Sequence, residues 1–331
     1  MKKQCLIVTL LLFIFVVFTA GNVLAARATR IKWGVASPRI GSFAYVANLS
    51  RTVNKELKGQ VVISPMETGG FLDNILRLRK GLLQCGLTHN LAAYACYKGM
   101  ADFKDKGDDQ LRGMWGGYVA PVLEVAIKGK GINSIYDLNN RPYVFSPGST
   151  GGRLARMFLE SLGIHPDYKL MGISAGIDAM KAGSVEAFYR IGPLDSSILE
   201  IKSTMDVVFL PVSKDDLAKF EKAWPKHALE YTLPANTYTE QPEPVLCLAY
   251  ACGDYTHTRV NEDVIYKIVM STYKNREKIA KAVPITRDGN WADMWNQTRK
   301  FMEVPLHKGA IRAYRELGFT IPDKLIPPEA K

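Results

Sequence analysis

Cysteine and histidine are both scarce, with five of each in 331 residues. No group of them stands at zinc-ligand spacing, which argues against a zinc module. No lysine follows a glycine-rich turn in the manner of a phosphate loop. No serine sits on a nucleophile elbow with His and Asp behind it, and no Cys is placed beside a His. The common hydrolase and nucleotide-hydrolysing chemistries therefore lack their residues. Repeats and low-complexity tracts are absent. Acidic residues are in deficit, 32 against 43 basic ones, for a formal net charge of +11. The basic residues are scattered, and no aromatic-basic array suited to single strands is visible, so nucleic acid is not the expected partner. A diffuse basic field instead draws in acidic small molecules or an acidic protein surface.

Long apolar runs are confined to the start of the chain. Lys2 and Lys3 precede an apolar stretch, Leu6 to Phe18, and a small-residue segment through Ala26. This is the pattern of a secretory signal peptide, residues 1–25, with cleavage after Ala25 or Ala26 and export of a soluble mature chain. The run falls short of the roughly 20 residues a membrane-spanning helix needs, which disfavours an uncleaved anchor. Cys5 precedes the apolar core and is not placed as a lipid anchor. Cys85, Cys96, Cys247 and Cys252 remain. If Leu246 to Ala251 is extended, Cys247 and Cys252 lie about 16 Å apart at roughly 3.3 Å per residue, too far to bridge. Cys85 and Cys96 pair only if a strand end meets a helix; buried thiols are the preferred reading.

The mature chain alternates strand and helix. Strands are expected at 31–35, 61–65 and 82–87, with helices at 45–57, 71–80 and 91–97. After an apolar strand at 122–127 a second set follows: strands at 143–145, 168–173, 185–189 and 206–210, with helices at 153–162, 177–182 and 194–201. A proline-rich polar stretch, 233–244, leads into another apolar strand at 245–251. Helices at 261–282, 291–302 and 310–317 close the chain. Such alternation implies a mostly parallel sheet covered on both faces. The apolar strands at 122–127 and 245–251 are read as crossovers between two α/β lobes. One lobe comprises 26–121 plus 245–331, and the inserted lobe comprises 122–244. Ligands of such sheets sit at the carboxyl ends of strands, so the lobes define a cleft that closes by hinge motion.

The loops after the strands are built alike. Ser37, Arg39, Gly41, Ser42 and Phe43 follow the first strand; Thr68, Gly69 and Gly70 follow the second; His89 and Asn90 follow the third. Ser146, Gly148, Ser149, Thr150 and Gly151 precede a helix in the middle set. Hydroxyls, glycines and open backbone N–H groups at a helix start favour a small anion. Helix capping explains any one such loop equally well; four converging on one cleft favour a ligand. Arg190, ending a strand, offers a bidentate hold on a carboxylate or is a surface residue. His89 donates to an anion or caps a helix. Trp115 and Tyr118 read as hinge packing.

Several segments carry a family resemblance. They are Thr68-Gly69-Gly70 with Asn74, Leu76 and Gly81; Asp137-Leu138 before Arg141; Pro147-Gly148-Ser149 with Ala155 and Leu162-Gly163; and Val304-Pro305-Leu306-His307-Lys308-Gly309-Ala310-Ile311 with Tyr314 and Glu316. In these the chain resembles the TAXI-type solute receptors of TRAP (tripartite ATP-independent periplasmic) transporters. The resemblance implies a two-lobed periplasmic binding protein fold of type II, with two crossover strands and a ligand cleft. It also implies a monomer without a cofactor that hands glutamate, glutamine or a 2-oxoacid to the transporter's membrane subunits, and a structural role for His307. The chain departs from the family at the first loop, Ile40-Gly41-Ser42-Phe43-Ala44, where Gly-Gly-x-Tyr-Tyr is usual. It departs also at Gln84 and His89, where Asp and Gln are usual, at Gly151 beside Thr150, where the usual threonine is missing, and at Arg190, where a small or apolar residue is usual. These changes shift the expected ligand toward a dicarboxylate or oxoacid with no required amino group. The alternatives are a receptor for an ATP-driven importer or a sensor kinase, a two-lobed enzyme, and a secreted adhesion module.

Overall fold

The computed structural model describes residues 28–38, 41–100, 103–146, 149–224 and 229–331. The signal-peptide reading, Arg39 and Gly148 lie outside the described residues.

Three parallel strands open the chain: β1 (Thr29–Gly34), β2 (Val61–Met66) and β3 (Cys85–His89). They alternate with helices α1 (Gly41–Glu56), α2 (Phe71–Arg79) and α3 (Asn90–Lys98). On α1 the buried positions Ser42, Tyr45, Val46, Leu49 and Val53 recur at helical spacing and form one stripe against the sheet. Gly99, in a left-handed conformation, ends α3 as a C-cap. A strand of 17 residues follows, β4 (Leu111–Ile127), buried along nearly its whole length.

The second set comprises β5 (Pro142–Phe145), α4 (Thr150–Ser161), β6 (Asp167–Leu170), α5 (Ile173–Lys181), β7 (Ala187–Ile191), α6 (Ser196–Lys202) and β8 (Val207–Leu210). Then come α7 (Lys214–Ala223), β9 (Leu229–Leu233) and the long β10 (Val245–His257). Helices α8 (Glu262–Lys274), α9 (Arg276–Lys281), α10 (Pro284–Asp288), α11 (Met294–Phe301) and α12 (Lys308–Glu316) complete the chain.

All strands join one sheet in the order β2-β1-β3-β10-β4-β7-β5-β6, with β8 on β4 and β9 on β10. The long pair β4 and β10 is antiparallel and carries a parallel set on either side. One apolar cluster underlies the first set and the α4 face of the second. Another lies on the opposite face of the second set, around Phe188, Ile198 and Tyr238.

The expected strands at 122–127 and 245–251 are halves of longer strands that reach into both lobes. The first half of β4 looks unlike a strand because Gly113, Gly116 and Gly117 break the apolar run. Gly116 has no room for a side chain, since a Cβ there would lie 2.4 Å from the backbone of Gln297. The expected helix 261–282 is broken at Asn275 into α8 and α9. The helix α7 and strand β9 were not expected from the sequence. All four described cysteines are buried and unbridged.

Candidate functional site

The registers bring the ends of the two parallel sets together. β3 runs in the direction of β4 and stops at His89, opposite Cys252 of β10. β7 runs against β4 and stops at Ile191, opposite Val122. The carboxyl ends of the two sets therefore face one another over the middle of β4 and β10. Helices α1, α3 and α4 start at these ends, with their N–H groups toward the gap. Gly41 of α1 and Gly192, just beyond β7, both approach Ile285 of α10. Ideal Cβ positions on them would lie 3.5 Å and 3.9 Å from that side chain. His89 stacks on Tyr250 at 4.4 Å between ring centroids, and Tyr250 lies opposite Ala120 at mid-sheet.

Most of the expected ligand residues are placed around this gap, yet many have their polar atoms engaged internally. Gly41, Ser42 and Phe43 form the first turn of α1 rather than a loop. Ser42 is buried and its Oγ has no hydrogen-bond partner among the described residues, whereas Phe43 packs on the core. Ser37 is half-buried beyond β1. The Thr68 hydroxyl lies 2.6 Å from the Val35 carbonyl and 2.7 Å from Asn74 Oδ1. Asn74 is wholly buried and donates to the Val35 and Leu87 carbonyls, so Thr68 and Asn74 tie the three strand ends together. The Gly69 N–H donates to Asp73, and Gly70 takes a positive φ of 120° to start α2. His89 caps α3, its Nδ1 accepting from Leu91 N–H. Asn90 begins α3, and its amide donates to the Phe301 carbonyl while its Oδ1 accepts from the Tyr255 hydroxyl. Both polar ends of the Asn90 side chain are thus engaged within the protein.

In the second set Ser149 caps α4 by accepting from Gly152 N–H at 3.2 Å. Thr150 and Gly151 are helical, not loop. Gly151 is small because Ile191 presses on it; a Cβ there would lie 2.6 Å from that side chain. Ser146 precedes the cap and is half-buried.

Arg190 is engaged internally. Its Nε and Nη2 donate to the two carboxylate oxygens of Asp195 at 2.8 and 2.7 Å. Both residues are buried, and Asp195 also caps α6. Burial works against the guanidinium charge, but the Asp195 carboxylate holds it protonated more firmly than usual. The fork meant for a ligand carboxylate thus holds an internal one. Gln84 precedes β3 and accepts from Lys32 N–H; it lies at the far end of that strand and does not border the gap.

Two features were not among the expected ligand residues. Tyr189, beside Arg190 but on the opposite face of β7, runs under the first turn of α4, and a Cβ on Gly152 would lie 2.5 Å from its hydroxyl. A buried carboxyl, Asp254, sits on β10 where two irregularities interrupt its pairing with β4. It accepts from Trp33 Nε1–H at 3.0 Å and from the Tyr45 hydroxyl at 2.7 Å. Tyr45 in turn accepts from Trp115 Nε1–H. Burial raises Asp254 to about 7 against the pull of these donors. His307 caps α12 and contacts the Val260 carbonyl through Nε2, and burial lowers its pKa to about 4. Among the described residues no cluster of three or more His, Cys, Asp or Glu is placed to hold a metal.

Solved structures share this architecture. One is the ligand-binding component of an ABC-type import system from Staphylococcus aureus with zinc bound, at 13% identity and TM-score 0.51, covering 91% of this chain and 97% of that one. Another is the GluR0 ligand-binding core in complex with L-glutamate, at 12% identity and TM-score 0.50, covering 79% and 98%. A third is the alkanesulfonate-binding protein from Xanthomonas axonopodis pv. citri bound to MOPS, at 13% identity and TM-score 0.49, covering 92% and 98%. The fold is the two-lobed α/β fold of type II periplasmic binding proteins. The family model that matches residues 37–318 spans most of the chain, which belongs to the NMT1-like family.

Proposed function

We propose that the protein is a solute-binding receptor of a transporter, which encloses a small carboxylate between its lobes and presents it to membrane subunits. The observation that carries this reading is the meeting of two parallel strand sets at their carboxyl ends, with helix N-termini turned toward the gap. Such ends favour anions without needing a cationic side chain. Asp195, the carboxylate between β7 and α6, is committed to Arg190, which leaves it unable to hold a ligand ammonium. A dicarboxylate or oxoacid fits this environment better than an amino acid. The receptor is a monomer acting in the periplasm, with residues 26–121 plus 245–331 as one lobe and 122–244 as the other.

Two carriers fit. The motifs around Thr68, Ser149 and His307 favour the membrane subunits of a TRAP transporter. The likeness to the ligand-binding component of an ABC-type import system favours an ATP-driven importer, and the comparisons support this second carrier more than the first.

Mass spectrometry of solute co-purified with the mature protein, followed by a thermal-shift screen of carboxylates, tests the reading. A ligand that binds only the native state raises the melting temperature in proportion to RT ln(1 + [L]/Kd). A dicarboxylate or oxoacid hit is the expected result. A response restricted to amino acids would overturn the assigned ligand class, and no response to any solute would overturn the receptor reading.

A further inference from the structure

We infer that Tyr189 is a ligand-contacting residue, its hydroxyl donating a hydrogen bond to an anionic oxygen of the solute at the first turn of α4. This rests on the receptor reading above and adds a residue to it.

Tyr189 is 3% exposed and its Oη has no hydrogen-bond partner among the described residues. The Ser149 and Ser146 hydroxyls adjoin it, but neither meets hydrogen-bond geometry with it. A buried donor left unpaired destabilises a fold, so a fold that keeps one has a use for it. The surroundings are shaped to retain it. Gly152 leaves the space into which Oη projects, since a Cβ there would lie 2.5 Å away. Tyr143 stacks alongside at 6.5 Å and fixes the ring, while its own hydroxyl is spent on Glu124. The unpaired hydroxyl thus stands beneath the amino end of a 12-residue helix, where the helix dipole already favours negative charge. An unspent O–H donor calls for a group with acceptor oxygens. A carboxylate has only acceptors when ionised. No cation is needed nearby, which agrees with Arg190 being closed by Asp195.

The test is Tyr189→Phe, which removes one oxygen and keeps the ring. Isothermal titration with 2-oxoglutarate, succinate and glutamate is run on wild type and variant, with melting of both in the absence of solute. The expected result is affinity reduced about 10- to 100-fold, as for loss of a hydrogen bond to a charged group, with a ligand-free melting temperature equal to or above that of wild type. Gly152→Ala, which crowds Oη, should also weaken binding, and by less in the Tyr189→Phe background. Unchanged affinity in Tyr189→Phe would overturn the inference and leave the receptor reading standing. A large fall in ligand-free stability would overturn it too, by showing that the hydroxyl has a structural partner. If wild type binds none of the three acids, this inference fails together with the assigned ligand class.

Discussion

The two charged groups that stand out in this fold, Arg190 and Asp254, both belong to its interior. Arg190 is paired within the second set. Removing one partner of a buried pair leaves the other charge uncompensated, which costs about 3–5 kcal/mol. Arg190→Ala is therefore expected to lower the denaturation free energy by that order. Because Asp195 is then no longer stranded, Arg190→Ala with Asp195→Asn should cost less than the single change. If Arg190→Ala leaves stability intact and abolishes binding instead, the guanidinium serves the ligand. Asp254 makes a prediction in pH. Its carboxyl titrates at about 7 in the fold because burial opposes ionisation, against about 3.9 in an unfolded chain. Between those values the folded protein keeps a proton that the unfolded chain has released. Stability attributable to Asp254 is thus full at low pH and is lost as pH rises through roughly 4 to 7. Glu124, raised to about 7 by burial, acts in the same direction. Asp254→Asn is expected to flatten the decline in melting temperature between pH 5 and pH 8, and equal slopes in the two proteins would exclude Asp254 as its source.

At the scale of elements, local pattern and distant contact divide what the sequence revealed. The alternation of strands and helices was legible because β1, β2 and β3 are short apolar runs and α1 and α2 have clear helical stripes. The full length of β4 was not, since its first half is built around glycines whose purpose lies elsewhere in the chain. Gly116 lies against Gln297 of α11, 181 residues later. Gly116→Ala is accordingly expected to destabilise by about 1–3 kcal/mol through overpacking, seen as a shifted denaturant midpoint; an unshifted midpoint would mean that α11 gives way freely. The candidate loops were legible for the same local reason as the helices, because capping residues and glycines mark helix starts. Their division of labour was not. Thr68, His89 and Asn90 look equally suited to a ligand until their partners Val35, Tyr250, Phe301 and Tyr255 arrive from other elements. Tyr189 and Arg190 are neighbours on one strand, and alternation puts them on opposite faces. Only the packing of α4 and α6 decides which face looks into the gap.

At the scale of the whole molecule, Ile285 is one place where the two strand sets approach each other. Ile285 of α10 lies beside Gly41 on its own side and is approached by Gly192 from the inserted set, with 3.9 Å from an ideal Cβ there to the isoleucine tip. Both contacting positions are glycines, so the isoleucine supplies the side chain that fills this part of the boundary. Two lobes on a pair of hinge strands exchange between open and closed arrangements, and the apparent affinity of a ligand scales with the fraction that is competent to hold it. Trimming the contact should lower that fraction without touching the polar groups that recognise the solute. For Ile285→Ala we expect a larger radius of gyration in ligand-free scattering and a few-fold weaker affinity, with the ranking of solutes unchanged. Saturating solute should return the variant to the wild-type radius, because binding energy then selects the closed form. A variant with weaker affinity but an unaltered radius would place Ile285 in contact with the solute instead. One with both unaltered would show that closure depends on the ligand and the hinge strands alone.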